Sequence, residues 1–442
     1  MKMVPVWTYP SAEAERFFDV VTGRQVTVDP EVQQRVHEMI EAVRHEGDEA
    51  LVRFTRVYDA PEFSADHLTV SSEEIDQAYK AADPAMVDVI RRARDNIYAY
   101  HENQKQKSWF MTRSDGCYMG QLVRPVKAAG LYVPGGQGGE TPLVSTVLMT
   151  AVPAVVAGVS DIAMVSPPRR DGTLNPYLLV AAREAGVHRV HRIGSAWAVA
   201  ALAYGTKRVA PVDVLVGPGN IYVTLAKKMV AGRVGIDGFA GPSEVVVVAD
   251  HSADPQYVAA DLLSQAEHDP MASAVCITND AQLALEVPAA LERQTADLPR
   301  HAIARQALAR YGAVIQTQTL HEAVEVANRL APEHLELLVE DPWSLLPYVQ
   351  HAGAVFMGFH TPEALGDYFA GPNHVLPTSG TARFASALGV ETFYKKTTVL
   401  SYTQEAFQRD ASAVMALASL ERLEAHARSV QVRSPFGHKK RV

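Results

Sequence analysis

From Leu131 onward the chain alternates short β-branched runs with helical patterns, and this alternation limits the fold more than any other feature of its 442 residues. The candidate strands are DIAMVS, RVHRIG, VDVLVG, SEVVVVAD, SAVCIT, GAVIQT and GAVFMG, several of them separated by helical patterns such as NPYLLVAAREAGV. Strands joined by crossover helices pair in parallel, and parallel sheets are covered on both faces. The expectation is an α/β fold with two parallel sheets. No fixed-period repeat or low-complexity segment appears, which excludes a solenoid.

The N-terminal third reads as helical scaffold. In DPEVQQRVHEMIEAVRHEG, Asp29 caps, Pro30 suits the first turn, and Val32, Val36, Met39, Ile40 and Val43 share a face that Gly47 terminates. Ser71 and Glu74 have capping-box spacing in SSEEIDQAY, and DPAMVDVIRRARDNIYAYHENQK continues as a long amphipathic helix. After the turn-rich GPNHVLPTSG the chain ends in helical pattern from Glu405 to His426, an arm suited to reach a partner subunit.

A net charge of -9 argues against a nucleic-acid partner, because phosphate backbones are bound by clustered Lys and Arg. Two cysteines, Cys117 and Cys276, provide neither a disulfide framework nor a Cys-rich zinc site. VLMTAVPAVVAGV is the longest apolar run, well short of the ~20 residues needed to span a bilayer, and no signal peptide is expected ahead of the first helix. A cytoplasmic protein with no membrane partner is expected.

Two glycine-rich turns fall beyond strand carboxyl ends, where such sheets bind ligands. YVPGGQGGETP carries Gly135, Gly136, Gly138 and Gly139, and VLVGPGNIYVTLAKK carries Gly217 and Gly219 just before a helix. They either let backbone N–H groups approach an anion such as a pyrophosphate or serve as tight turns needing positive φ. In DLLSQAEHDP, read as a helix from about Asp254, Val258, Leu262 and Ala266 form one stripe. Asp261, Gln265 and His268 form a polar stripe beside it. Gln265 and His268 can therefore reach one metal ion, or bridge neighbouring backbone. APEHLEL sets Glu333 beside His334, a carboxylate and an imidazole able to move protons at neutral pH or simply to be solvated. LGDYFAGPNHVLPT puts Asp367 and His374 in a loop, and LERLEAHARS places Glu421 and His426 near the last helix end, where a histidine also complements the dipole.

Together these segments resemble histidinol dehydrogenase from about Val28 to Val430. The most specific stretch is IDGFAGPSEVVVVADHSADPQYVAADLLSQAEH, Ile236 to His268, and GLYVPGG, ALAYGT, VGPGNIYVTLAKK, APEHLEL and NHVLPTSGTARFASALGVETF keep the family's order. The resemblance implies oxidation of L-histidinol to L-histidine in two NAD-dependent steps, alcohol to aldehyde to acid, at the end of histidine biosynthesis. It implies a homodimer with one Zn2+ per subunit. Gln265, His268 and Asp367 would hold the ion from one subunit, and His426 would reach it from the other. Glu333 and His334 match the catalytic pair, His334 as base for the hydroxyl proton and Glu333 activating the water that attacks the aldehyde. Ser145, Ser243, His374 and Glu421 match positions lining the substrate pocket, with Gln265, His268, His334, Asp367 and His426. Tyr132, Trp197 and Asn220 match cofactor positions. The implied fold is two incomplete Rossmann-like domains, one inserted in the other, with small C-terminal segments exchanged between subunits. The expected boundaries are 30–133 plus 241–385 for the domain with metal and catalytic residues, 134–240 for the inserted cofactor domain, and 1–29 plus 386–442 for terminal segments and dimer arm.

Two features depart from the family pattern. Trp197, in IGSAWAVAAL, stands where a glutamine is usual, and an indole cannot accept a carboxamide's hydrogen bonds, so it either stacks on the cofactor or packs. GGQGGETPLVSTV is longer ahead of Ser145, which leaves a relative acting on another amino alcohol or a diol as the alternative. A zinc hydrolase is an alternative of another class, since the same ligands beside a Glu–His pair can activate water. A non-catalytic metal-binding module is the third.

Overall fold

The computed structural model describes residues 3–24, 29–136 and 139–434. Gln137 and Gly138, the second of which belongs to the first glycine-rich turn, lie outside the described residues. The strands are β1 (Val6–Thr8), β2 (Trp109–Thr112), β3 (Tyr118–Pro125), β4 (Ala128–Tyr132), β5 (Asp161–Ser166), β6 (Arg189–Arg192) and β7 (Val214–Val216). They continue with β8 (Gly235–Ile236), β9 (Glu244–Ala249), β10 (Ser273–Thr278), β11 (Gly312–Gln316), β12 (His334–Leu338), β13 (Ala354–Met357) and β14 (Tyr394–Ser401). Each of the expected runs contains a strand.

The chain divides into two compact units, Met1–Gln104 with Val126–Phe393, and Lys105–Pro125 with Tyr394–Val442. The first contains two parallel sheets, ordered β1-β11-β10-β9-β12-β13 and β6-β5-β4-β7-β8. The second contains the antiparallel sheet β14-β3-β2 and the helices Gln404–Leu420 and Glu424–Gln431. The expected single helical run from Glu405 to His426 is therefore broken, at Arg422, which has φ 59°.

Strands β9, β10 and β12 are buried at every residue, as expected for a sheet covered on both faces. One face of the six-stranded sheet buries Val245, Val247 and Cys276 against Leu262, Leu291 and Leu308. The other buries Val246, Ile277 and Leu335 against Phe18, Val324 and Leu330. The helices follow their caps. Asp29 and Asp83 accept from the N–H two residues on, each with Pro in the first turn, and Ser71 with Glu74 forms the full capping box.

Two expected domain assignments differ from the structure. The helix Pro30–Glu46 buries Val36, Met39, Ile40 and Val43 with Val199, Leu202, Val223 and Ala226, so it belongs with the five-stranded sheet instead of the six-stranded sheet that contains His334. At the chain start, β1 pairs with β11 and the helix Ala12–Thr22 packs on the six-stranded sheet, so these residues complete that layer. An apolar stripe reveals which face is buried but not which sheet will cover it. Among the described residues, no helix is long and apolar enough to cross a membrane.

Candidate active site

The six-stranded sheet brings Ser243, Glu244, Glu333 and His334 to the amino ends of β9 and β12, opposite to the carboxyl ends favoured by open α/β sheets. His334 opens β12 and lies in register with Val245, one residue into β9, so Glu333 and Ser243 both fall at this edge. The helix Pro255–Ala266 follows β9 and runs back, delivering Gln265 and His268 to the same edge. The short helix Glu363–Tyr368 follows β13 and delivers Asp367, with His374 in the next loop.

Distances connect these groups. The Gln265 amide nitrogen lies 2.8 Å from His334 Nδ1, and the Glu244 carbonyl oxygen lies 3.0 Å from the same atom. An amide nitrogen donates and a carbonyl accepts, so the two contacts select opposite tautomers. Only a hydrogen on Nδ1, donated to Glu244, leaves Nε2 with a free lone pair. Nε2 is buried without a hydrogen-bond partner, 3.6 Å from Glu363 Oε1 and 3.9 Å from Asp367 Oδ1. His374 Nδ1 donates to the Asp367 carbonyl at 3.0 Å, which likewise frees its Nε2. Glu333 Oε2 accepts from the Glu244 N–H at 3.0 Å. Ser243 is half-buried, its carbonyl accepting from Ser273 N–H at 2.9 Å. Ser145 is half-buried one turn before Met149, whose carbonyl accepts from Asn373, the residue before His374.

Burial dominates the electrostatics. Desolvation pushes Glu333 and Glu363 well above the usual carboxylate range, with neighbouring carboxylates adding to it: Glu244 and Asp367 for Glu333, Asp367 and Glu333 for Glu363. Burial raises Asp367 to about 6 and holds His334 down to about 3 and His374 to about 4, so both imidazoles are neutral at physiological pH. Arg24, paired with Glu244 and donating to the Met271 carbonyl at 2.6 Å, sets a buried cation against this group.

Sequence reasoning missed Glu363 and Glu336. Glu336 Oε1 accepts from the Glu363 N–H at 3.0 Å, and both side chains are buried with an unpartnered Oε2. Glu363 and Asp367 stand four apart on one helix, a spacing that puts two carboxylates on one face and could have revealed the pair. His334, Glu363 and Asp367 offer ligand atoms within 4.8 Å of one another. An excess of buried oxygen and nitrogen donors over positive charge, with His334 Nε2 and the Oε2 atoms of Glu244, Glu336 and Glu363 unpartnered, suits a divalent cation such as zinc. Gln265 is buried and faces this group, while His268 is exposed just beyond its helix. Glu421 and His426 are exposed residues of the second unit, Glu421 at the end of one helix and His426 on the next.

The cofactor candidates meet at carboxyl ends of the five-stranded sheet, whose order reverses direction between β4 and β7. Tyr132 ends β4, and its hydroxyl accepts from Ser195 N–H at 3.0 Å. Asn220 caps the helix Ile221–Val230, accepting from Tyr222 N–H at 3.1 Å and Val223 N–H at 3.2 Å. Between β7 and that helix, Gly217 has φ 112°, and a Cβ there would lie 2.2 Å from the Tyr132 carbonyl oxygen, so only glycine fits. Trp197 is 2% exposed and stacks on Tyr58 with ring centroids 5.5 Å apart and planes at 22°. It is a core residue that also lines a cavity of about 260 Å³ with Arg35, Asp59, Ser195 and Asn220. A second cavity of about 430 Å³ is lined by Gly217, Pro218, Phe239, Val375 and Leu376.

A family model described as histidinol dehydrogenase matches residues 22–434. The chain is 52% identical over 423 residues to a histidinol dehydrogenase of Desulfotalea psychrophila, covering 96% of this chain and 98% of that protein. It is 55% identical over 416 residues to one of Nitratidesulfovibrio vulgaris, covering 94% and 95%. The crystal structure of histidinol dehydrogenase from Elizabethkingia anophelis superposes with TM-score 0.91 at 34% identity, covering 98% of each chain.

Proposed function

The chain belongs to the histidinol dehydrogenase family, oxidoreductases of histidine biosynthesis, and from that membership we propose a zinc- and NAD-dependent four-electron oxidation of L-histidinol to L-histidine through a bound aldehyde. The observation that carries this reading is the convergence of Gln265, Glu333, His334, Asp367 and His374 at one sheet edge, with both imidazoles kept neutral by burial.

Gln265, His268 and Asp367 would hold zinc, with His426 of the partner subunit completing the set in a homodimer. When bound, zinc would supply substrate orientation and NAD would supply the hydride acceptor for both steps. With its Nδ1–H donated to Glu244, His334 takes the alcohol proton at Nε2. Glu333, once ionised, would take a proton from the water that adds to the aldehyde. Ser145, Ser243 and His374, with Glu421 from the partner arm, present short polar and acidic groups to the substrate's hydroxyl and amine. The location proposed is a reducing cytoplasm, consistent with free, buried Cys117 and Cys276.

Glu333→Gln tests the division of labour. Turnover of added aldehyde should fall by about 100-fold or more while the first hydride step from histidinol falls by less than about tenfold. Equal losses on the two substrates would remove Glu333 from its step-specific role. The runner-up, another amino alcohol as substrate, is separated by comparing kcat/KM for histidinol against a panel of amino alcohols.

A further inference from the structure

The turn from Gly217 to Asn220 separates two cavities. The larger reaches Val375, the residue after His374, so it opens beside the catalytic cluster. The smaller lies across the turn, lined by Asn220. Asp237 Oδ2 accepts from Gly217 N–H at 2.7 Å, and Lys227 Nζ donates to the Gly217 carbonyl at 2.9 Å, which holds the turn in place. A dinucleotide whose nicotinamide occupies the catalytic side would pass this turn at its pyrophosphate and put its adenosine half in the smaller cavity.

Asp59 is the acid lining that smaller cavity. Its Oδ2 is buried with no hydrogen-bond partner, and desolvation raises its carboxyl to about 7. A carboxylate only accepts, so an unpartnered buried oxygen there costs free energy until a donor arrives. Beside it Tyr58 has one ring face stacked on Trp197 and is 53% exposed, a surface for a flat base. Arg35 is exposed among the lining residues, available to a pyrophosphate.

Resting on the NAD reading, we infer that Asp59 determines cofactor specificity by accepting hydrogen bonds from the 2′- and 3′-hydroxyls of the adenosine ribose. A vicinal diol supplies two donors to one carboxylate; a 2′-phosphate supplies none and adds negative charge beside it. The chain therefore takes NAD and rejects NADP.

Calorimetric binding to the zinc-loaded full chain tests this without relying on turnover, using NAD, NADP and NAD lacking the adenosine 2′-hydroxyl, with wild type, Asp59→Asn and Asp59→Ser. Wild type should bind NAD at least about 100-fold tighter than NADP, and the 2′-deoxy analogue about tenfold weaker than NAD. Both variants should lose about tenfold or more in NAD affinity, bind NAD and its 2′-deoxy analogue alike, and narrow the NADP gap to about threefold. Wild-type NAD binding with unchanged affinity and preference in the variants would overturn the role of Asp59 and leave the cofactor reading standing. Absence of NAD binding by wild type would overturn both. If neither variant folds, equal wild-type affinity for NAD and its 2′-deoxy analogue overturns the inference.

Discussion

His334→Asn should lower kcat for histidinol by about 100- to 10,000-fold with zinc content and melting temperature close to wild type. The imidazole is 4% exposed, and its Nε2 is buried, unpartnered and flanked by Glu363 and Asp367. Asparagine can still donate toward the Glu244 carbonyl, so the packing at the start of β12 is retained while the proton acceptor is lost. A purely structural His334 would instead give turnover that tracks melting temperature, and a hydrolase reading would give no NADH from wild type at all.

Asp367→Ala should weaken zinc binding by at least about 100-fold, because loss of a direct ligand exceeds the 10- to 100-fold effect of losing a supporting group. Burial raises Asp367 to about 6. Zinc needs the carboxylate, so protons compete with the ion below that value: wild-type zinc affinity should fall as pH drops through 6 and level off above it. Metal content after dialysis at several pH values measures both effects. The same assay on His426→Ala reports whether the partner's arm supplies a ligand; zinc content equal to wild type would remove His426 from the set. Retained affinity in Asp367→Ala, with the same pH profile, would point to Glu363 and His334 as the metal's holders.

Much of the architecture is legible because parallel strands advertise themselves. SAVCIT is β10 residue for residue, and SEVVVVAD contains all of β9, since continuous burial removes the need for alternation. HLELL is also a buried strand, β12, yet Glu336 in its middle hides it: a charged side chain in a core strand contradicts the hydrophobic pattern and marks the site instead. Strands β2, β3 and β14 escape for the opposite reason. β2 is exposed throughout and β14 nearly so, leaving no apolar period to read.

The site itself divides along the same line. Helical spacing in DLLSQAEHDP puts Gln265 and His268 on one polar stripe; the helix ends at Ala266, with Gln265 buried against His334 and His268 exposed. For Glu363 the one signal is its spacing of four from Asp367, because a helix of six residues, Glu363–Tyr368, shows too little periodicity to separate from its loop. Nor could the sequence place this polar cluster at strand amino ends, where the general rule for open sheets points to carboxyl ends. Trp197 shows the remaining gap: its departure from the usual glutamine was visible, but only its stacking on Tyr58 and its place in the cavity wall show that it packs in the core and borders the cavity at once.

One catalytic cluster would perform both oxidations without releasing the aldehyde. The most direct measurement is the NADH formed per histidinol consumed by zinc-loaded wild-type protein in excess NAD, with free aldehyde trapped by a carbonyl reagent. The expected yield is two NADH and one histidine per histidinol with no trapped aldehyde; one NADH with the aldehyde trapped, or no NADH at all, would contradict it.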